Sequence, residues 1–81
     1  MLKIEIISPA GVVFEGPCYL ATLPSVAGEI GVMQDHEAFV AALKEGKIIV
    51  YNEKQEVLKE LDVVGGFAEI HDGKKLIILV D

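Results

Sequence analysis

Arginine and tryptophan are missing from this 81-residue chain, and cysteine occurs once, as Cys18. Without arginine there is no bidentate reading of guanine. Seven lysines against thirteen carboxylates leave a net charge of −6, the reverse of the basic footprint that neutralises phosphate, so no nucleic acid is expected as a partner. A lone cysteine makes no intramolecular disulfide, which favours a reducing compartment and a core position for Cys18. The longest uninterrupted aliphatic run, Leu76 to Val80, is far short of the roughly 20 residues a bilayer span requires. Glu5 breaks the N-terminal apolar stretch, which has no long signal-peptide core. Direct membrane insertion is not expected. There are no internal repeats, low-complexity tracts or linkers.

What remains is 52% apolar, enough for a packed fold along the whole length. At this size one domain, residues 1–81, buries only about 60 to 65% of the surface of its unfolded chain. Leu2, Ile4 and Ile6 alternate with Lys3 and Glu5, the period of a strand with one wet face. Pro9, Ala10 and Gly11 supply a turn. Val12 to Leu23 reads as a second extended run, with an edge or a bulge expected where Gly16 and Pro17 interrupt it. A hairpin is expected to turn near Asn52 to Gln55, and Asp72-Gly73 is the strongest short hairpin signal of all. Gly65 and Gly66 suggest a sharp bend or a close backbone approach. The class that fits is a β-sandwich or barrel. Most of Phe14, Tyr19, Phe39, Tyr51 and Phe67 are expected in its core.

Two segments pull toward helix. "DHEAFVAALKEG" offers Asp35 as N-cap and Gly46 as terminator, and Val57, Leu58, Leu61 and Val64 fall at helical spacing. Local propensity favours helix in the first of these, although β-propensity reports fit to a half-buried surface and tertiary context can override it.

Candidate chemistry is sparse. Asp35, His36 and Glu37 are adjacent, and neighbouring side chains in a strand or a helix do not converge, so this is the polar edge of a surface rather than a catalytic triad. His36 and His71 are far apart and no cysteine pair exists, so no metal and no cofactor site is expected, and none of the glycine patterns makes a phosphate cradle. A metal-dependent hydrolase built on the two histidines, or a small ligand-binding barrel, stands as the alternative to a noncatalytic module.

"VVFEG", "TLPSVAGEIGVMQDHEAFVAALKEGKI", "VVGGFAEI" and "LIILVD" resemble, in order and spacing, the N-terminal β-sandwich domain of the epsilon subunit of F-type ATP synthase. The resemblance implies an all-β, ten-stranded sandwich or flattened barrel in which "HEAFVAAL" is a strand. It also implies a noncatalytic place in the central stalk, peripheral to the cytoplasmic face of the inner (plasma) membrane, between the gamma subunit and the c ring. By that alignment Gly28, Glu29, Ile30 and Gly31 form the loop facing the c ring, with Glu29 as its polar contact, and Ser8, His36, Phe39, Ala41 and Ala42 belong to the face toward gamma. A bacterial source is favoured over a plastid one. The family usually has a proline-glycine pair before the histidine and a proline two residues after it, where this chain has Gln34, Asp35 and Ala38. The family commonly continues into a C-terminal helical hairpin that would begin at Asp81, so neither an inhibitory nor a nucleotide-binding role is expected of these residues.

Overall fold

A computed structural model describes residues 1–81 and contains nine strands and no helix. They are β1 (Leu2–Ser8), β2 (Gly11–Cys18), β3 (Leu20–Ser25), β4 (Gly28–Val32), β5 (Phe39–Leu43), β6 (Gly46–Tyr51), β7 (Val57–Val63), β8 (Gly66–Ile70) and β9 (Lys75–Val80). One sheet runs β2-β1-β9-β8-β5-β3-β6-β7, with β4 on the free side of β3. All pairs are antiparallel except β1 with β9.

The sheet folds over on itself at β3. Leu20, Ala21 and Thr22 pair with β6, whereas Ser25 pairs with Leu43 of β5. Pro24 lies between, at the change of partner, where its missing N–H interrupts no ladder bond. Its carbonyl accepts from the Lys44 N–H at 2.8 Å, and the Val26 N–H donates to Ala42 at 3.0 Å, so the corner is stitched on both sides of Ser25. The two layers close on one cluster of fifteen buried residues, including Ile4, Ile6, Leu76 and Ile78 from one layer and Leu23, Val32, Ile48 and Val50 from the other. At about 25 cal/mol per Å² of apolar surface, this burial is the main force opposing chain entropy.

The period-two reading of β1 is borne out: Leu2, Ile4 and Ile6 are fully buried. So are both hairpins. Asn52 Oδ1 accepts from the N–H groups of Lys54 and Glu56 at 2.9 Å, and Gln55 takes φ 66 to complete that turn. Asp72 Oδ1 accepts from the Lys74 N–H at 3.0 Å, with Gly73 at φ 77. Pro17 lies on an edge strand, as anticipated, while the bulge falls elsewhere. Ile6 opposes Phe14 and Ile7 opposes Val12, leaving Val13 as the extra residue.

Four expectations are corrected. There are nine strands, not ten, and Gln34–Ala38, which starts in a turn with Asp35 at φ 67, joins no ladder. "HEAFVAAL" is therefore a strand only from Phe39 onward. Its helical propensity loses to β8, which pairs with every residue of β5 from Phe39 opposite Ile70 to Leu43 opposite Gly66. Gly46 opens β6 rather than ending a helix, and a Cβ there would lie 2.7 Å from that of Pro24. Val57–Val63 is likewise extended against β6, so its helical spacing was coincidental. Finally, no aromatic residue is in the buried cluster: Phe14 and Phe39 pack against it, and Phe67 is 58% exposed. Branched aliphatics fill the narrow gap between layers.

Candidate interaction surface

Gly28 to Gly31 form strand β4 rather than a loop, a second correction to the alignment-based placement. The tip of the β3–β4 hairpin is Val26–Ala27, and buried Ser25 closes it by accepting from the Ala27 N–H at 3.2 Å and donating to the Gly28 carbonyl. Alternation along β4 exposes Glu29 and Gly31 and turns Ile30 and Val32 inward. Glu29 and Ile30 thus cannot serve one contact. Gly31 has no positive φ, and a Cβ there would meet only Leu20 Cδ1 at 3.6 Å.

His36, Phe39, Ala41 and Ala42 come together, as anticipated, along a groove of about 370 Å³. Ile30 reaches the same groove from β4, and Val26 and Val40 complete its apolar wall. The His36 ring stands edge-on to Phe39, with centroids 5.1 Å apart and planes at 74°, and its Nδ1 lies 2.8 Å from the Glu37 carbonyl. No carboxylate orients the ring as a base would require. Ser8 lies away from this groove, at the end of β1, where its hydroxyl accepts from the Ala10 N–H at 3.2 Å and donates to the Gly11 carbonyl at 3.3 Å.

The register of the five-strand layer explains how Ser8 and Ala42 can belong to one surface. Ala42 opposes Phe67, Phe67 opposes Leu79, Leu79 opposes Ile7, and Ile7 opposes Val12. All five side chains point outward, opposite to the buried phase of each strand, and Ser8 follows Ile7. With strands about 4.8 Å apart, the row is about 19 Å long. Val40 and Ile77 extend it in the next row, and Val40 is 70% exposed. Charged residues alternate with them in that same row: Glu69 opposes Val40 and Ile77, and Glu5 opposes Ile77. Glu5 meets Lys75 at 3.5 Å, and Glu69 meets His71 at 2.7 Å. An exposed apolar strip flanked by charged side chains fits a protein–protein interface. Because Val40 and Ala42 line the groove as well, face and groove are continuous around β5.

Sequence reading missed Phe67, Leu79, Ile7 and Val12. The signal was present in "GFAEI", where Ala68 and Ile70 take the inward phase and leave Phe67 and Glu69 outside.

No three histidine, cysteine, aspartate or glutamate side chains gather to hold a metal ion. His71 is occupied with Glu69 and His36 with Phe39, so the hydrolase alternative finds no assembled site. Cys18 is fully buried, and desolvation pushes its thiol up to about 11, partly offset by the N-terminal ammonium. Such a thiol is a packing group rather than a nucleophile. On the far layer, Lys47 holds its proton above the ordinary lysine range, chiefly through its 2.9 Å hydrogen bond to Glu60 and then through Asp62.

A family profile described as "ATP synthase, Delta/Epsilon chain, beta-sandwich domain" matches residues 1–81. Among similar proteins, the ATP synthase epsilon chain of Sulfurimonas denitrificans is 38% identical over 80 residues, covering 99% of this chain and 60% of the relative. That of Campylobacter jejuni is 36% identical over 75 residues, covering 91% and 57%. The Nostoc punctiforme epsilon chain is 30% identical over 78 residues, covering 96% and 57%. This chain thus spans about three fifths of the length of these relatives. A chain of the Euglena gracilis mitochondrial ATP synthase (OSCP/F1/c-ring) superposes with a TM-score of 0.88 at 24% identity, over 98% of this chain and 49% of that one. One from the central stalk and c ring of Tetrahymena thermophila mitochondrial ATP synthase gives 0.78 at 16% identity, over 98% and 62%. At those identities the structural likeness establishes the fold. With the nine-stranded sandwich, its outward apolar face and the profile match over every residue, this chain belongs to the ATP synthase delta/epsilon family, as its β-sandwich domain.

Proposed function

We propose that this domain is a noncatalytic part of the central stalk of a proton-translocating F-type ATP synthase, joining gamma to the c ring and carrying rotation between them. It works peripherally, at the cytoplasmic face of the inner (plasma) membrane. The observation that carries the reading is the outward row Val12, Ile7, Leu79, Phe67 and Ala42, which an isolated domain would leave in water. That row, with the His36 groove beside it, is the face for gamma, and Ser8, His36, Phe39, Ala41 and Ala42 all lie on it or border it. Exposed Glu29, on the β3–β4 hairpin with Gly28, Ile30 and Gly31, is the polar contact to the c ring, where it would favour a basic partner side chain through steering and register.

Size and stiffness suit such a part. The surface of 4717 Å² accommodates two faces of roughly 800 Å² each on about a third of its extent. A close-packed double layer has low compressibility and transmits strain rather than absorbing it.

Titration of the 81-residue chain into the cognate gamma subunit by calorimetry tests the reading. Saturable one-to-one binding is expected. Absence of heat, with separate elution of the two proteins on a sizing column, would overturn the assignment of this face to gamma.

A further inference from the structure

Asp35 and Gly73 lie on different loops, and their backbones are locked together. The Asp35 N–H donates to the Gly73 carbonyl at 2.7 Å. Both residues occupy the left-handed region, at φ 67 and φ 77. A Cβ on Gly73 would sit 2.8 Å from the Asp35 Cα, 3.2 Å from its carbonyl carbon and 3.3 Å from its nitrogen. Every atom so approached is backbone, so no flexible side-chain end can yield.

The turn Gln34–Ala38 belongs to no ladder, and its own closure is the 3.2 Å bond from the His36 N–H to the Met33 carbonyl. Its backbone anchor to another element is Gly73. Directly after the anchored residue comes His36, whose ring rests edge-on against Phe39 in the apolar groove. Phe39 opens β5 opposite Ile70 of β8, so the histidine is held from two sides by the β8–β9 hairpin: through Phe39 by the ladder, and through Asp35 by the tip. The Asp72-Gly73 pair is therefore more than a chain reversal. Only a residue without Cβ lets the tip approach this closely.

We propose that Gly73 is a positioning residue for His36: the tip of the β8–β9 hairpin sets the pose of the Gln34–Ala38 turn and with it the His36 end of the groove. Its consequence for gamma rests on the reading of that groove given above; its consequence for His36 does not.

The experiment compares Gly73→Ala with Gly16→Ala, which carries at least as heavy a burden of positive φ, at 149, but in open space on an edge strand. Imidazole proton signals of the free chain are recorded by NMR, with His71→Gln assigning the two histidines. Gly73→Ala is expected to move the His36 signals, through loss of the Phe39 ring-current contact, while the Gly16→Ala spectrum keeps them in place. Affinity for gamma is expected to fall at least fivefold for Gly73→Ala alone. Unmoved His36 signals in folded Gly73→Ala would overturn the proposal, as would equal loss of affinity in both variants. If wild type itself fails to bind gamma, the interface assignment falls and the His36 signals still decide the positioning role. If Gly73→Ala does not fold, hydrogen exchange of the wild-type Asp35 amide decides instead. Slow exchange, despite its exposed turn, supports the clasp; exchange at the rate of a free amide refutes it.

Discussion

Gly66 and Leu79 approach so closely that a Cβ on Gly66 would fall 2.0 Å from the Leu79 carbonyl oxygen, and Gly66 takes φ 142. The bend expected of Gly65-Gly66 thus has a definite cause: β8 must turn into its ladder with β9 against bare backbone. Gly66→Ala is expected to lower stability by about 3 kcal/mol or more, since collision and strain coincide. Gly31→Ala, with ordinary φ and its nearest neighbour at 3.6 Å, is expected to hold or raise the urea midpoint. Equal midpoints for the two variants would contradict this account.

One residue further on, Phe67 projects outward opposite Leu79. Phe67→Lys is expected to leave the denaturant midpoint within about 0.5 kcal/mol of wild type, because the ring is already in water. The same change is expected to weaken gamma binding about tenfold or more, as charge enters the centre of an apolar contact. Calorimetry beside urea unfolding separates the two effects. A large stability loss would mean that the ring packs inward.

For the opposite partner, Glu29→Lys is expected to weaken docking of a gamma complex onto the c ring and to leave gamma affinity unchanged. Pull-down on detergent-purified c ring measures the first and calorimetry the second. Parallel loss at both would show that β4 has been assigned to the wrong face.

Asp35 carries φ 67, a conformation that glycine adopts freely and aspartate only tolerates. By the family resemblance this position usually carries glycine, which takes such a φ without strain. Asp35→Gly is expected to be neutral or stabilising by up to about 1 kcal/mol, the relief of strain being partly cancelled by a more flexible unfolded chain. Asp35→Val is expected to cost more than about 1 kcal/mol, since a β-branched residue in this region is strongly disfavoured. Thermal melts of the two variants should bracket wild type.

Cys18 links stability to alkaline pH. Its thiol ordinarily titrates near 9.0 and is raised to about 11 by burial in the fold. Between these values the unfolded chain releases a proton that the folded chain keeps, so this contribution is present below pH 9.0 and is lost as pH rises toward about 11. The loss is on the order of 2 to 3 kcal/mol. The stability difference between wild type and Cys18→Ala, measured by urea unfolding at pH 7 and pH 10.5, should shrink at the higher value. A difference independent of pH would show the thiol to be solvated.

Much of this protein is written locally. The alternation of Leu2, Ile4 and Ile6 determines which face of β1 is dry. Asn52 and Asp72-Gly73 determine two reversals, because their side chains and φ values satisfy the turn within a few residues. The acidic balance without arginine weighs against a nucleic-acid partner, and four ordered motifs carried the family, with His36, Phe39, Ala41 and Ala42 gathered as that alignment implied.

Tertiary structure decided the rest. Phe39–Leu43 has helical propensity, but it became a strand because every one of its residues is paired with one of β8, and that partner lies far along the chain. Glu29 and Ile30, adjacent in sequence, were assigned together and then separated to opposite faces by the pleat of β4. Asp35 takes φ 67 where Gly73 arrives from another hairpin and its carbonyl accepts from the Asp35 N–H. Phe67 and Leu79 show the same limit most plainly. Hydrophobicity alone would bury them, yet the inner phase of β8 and β9 was already filled by Ala68, Ile70, Leu76 and Ile78, and strict alternation sent both side chains outward onto an exposed apolar face.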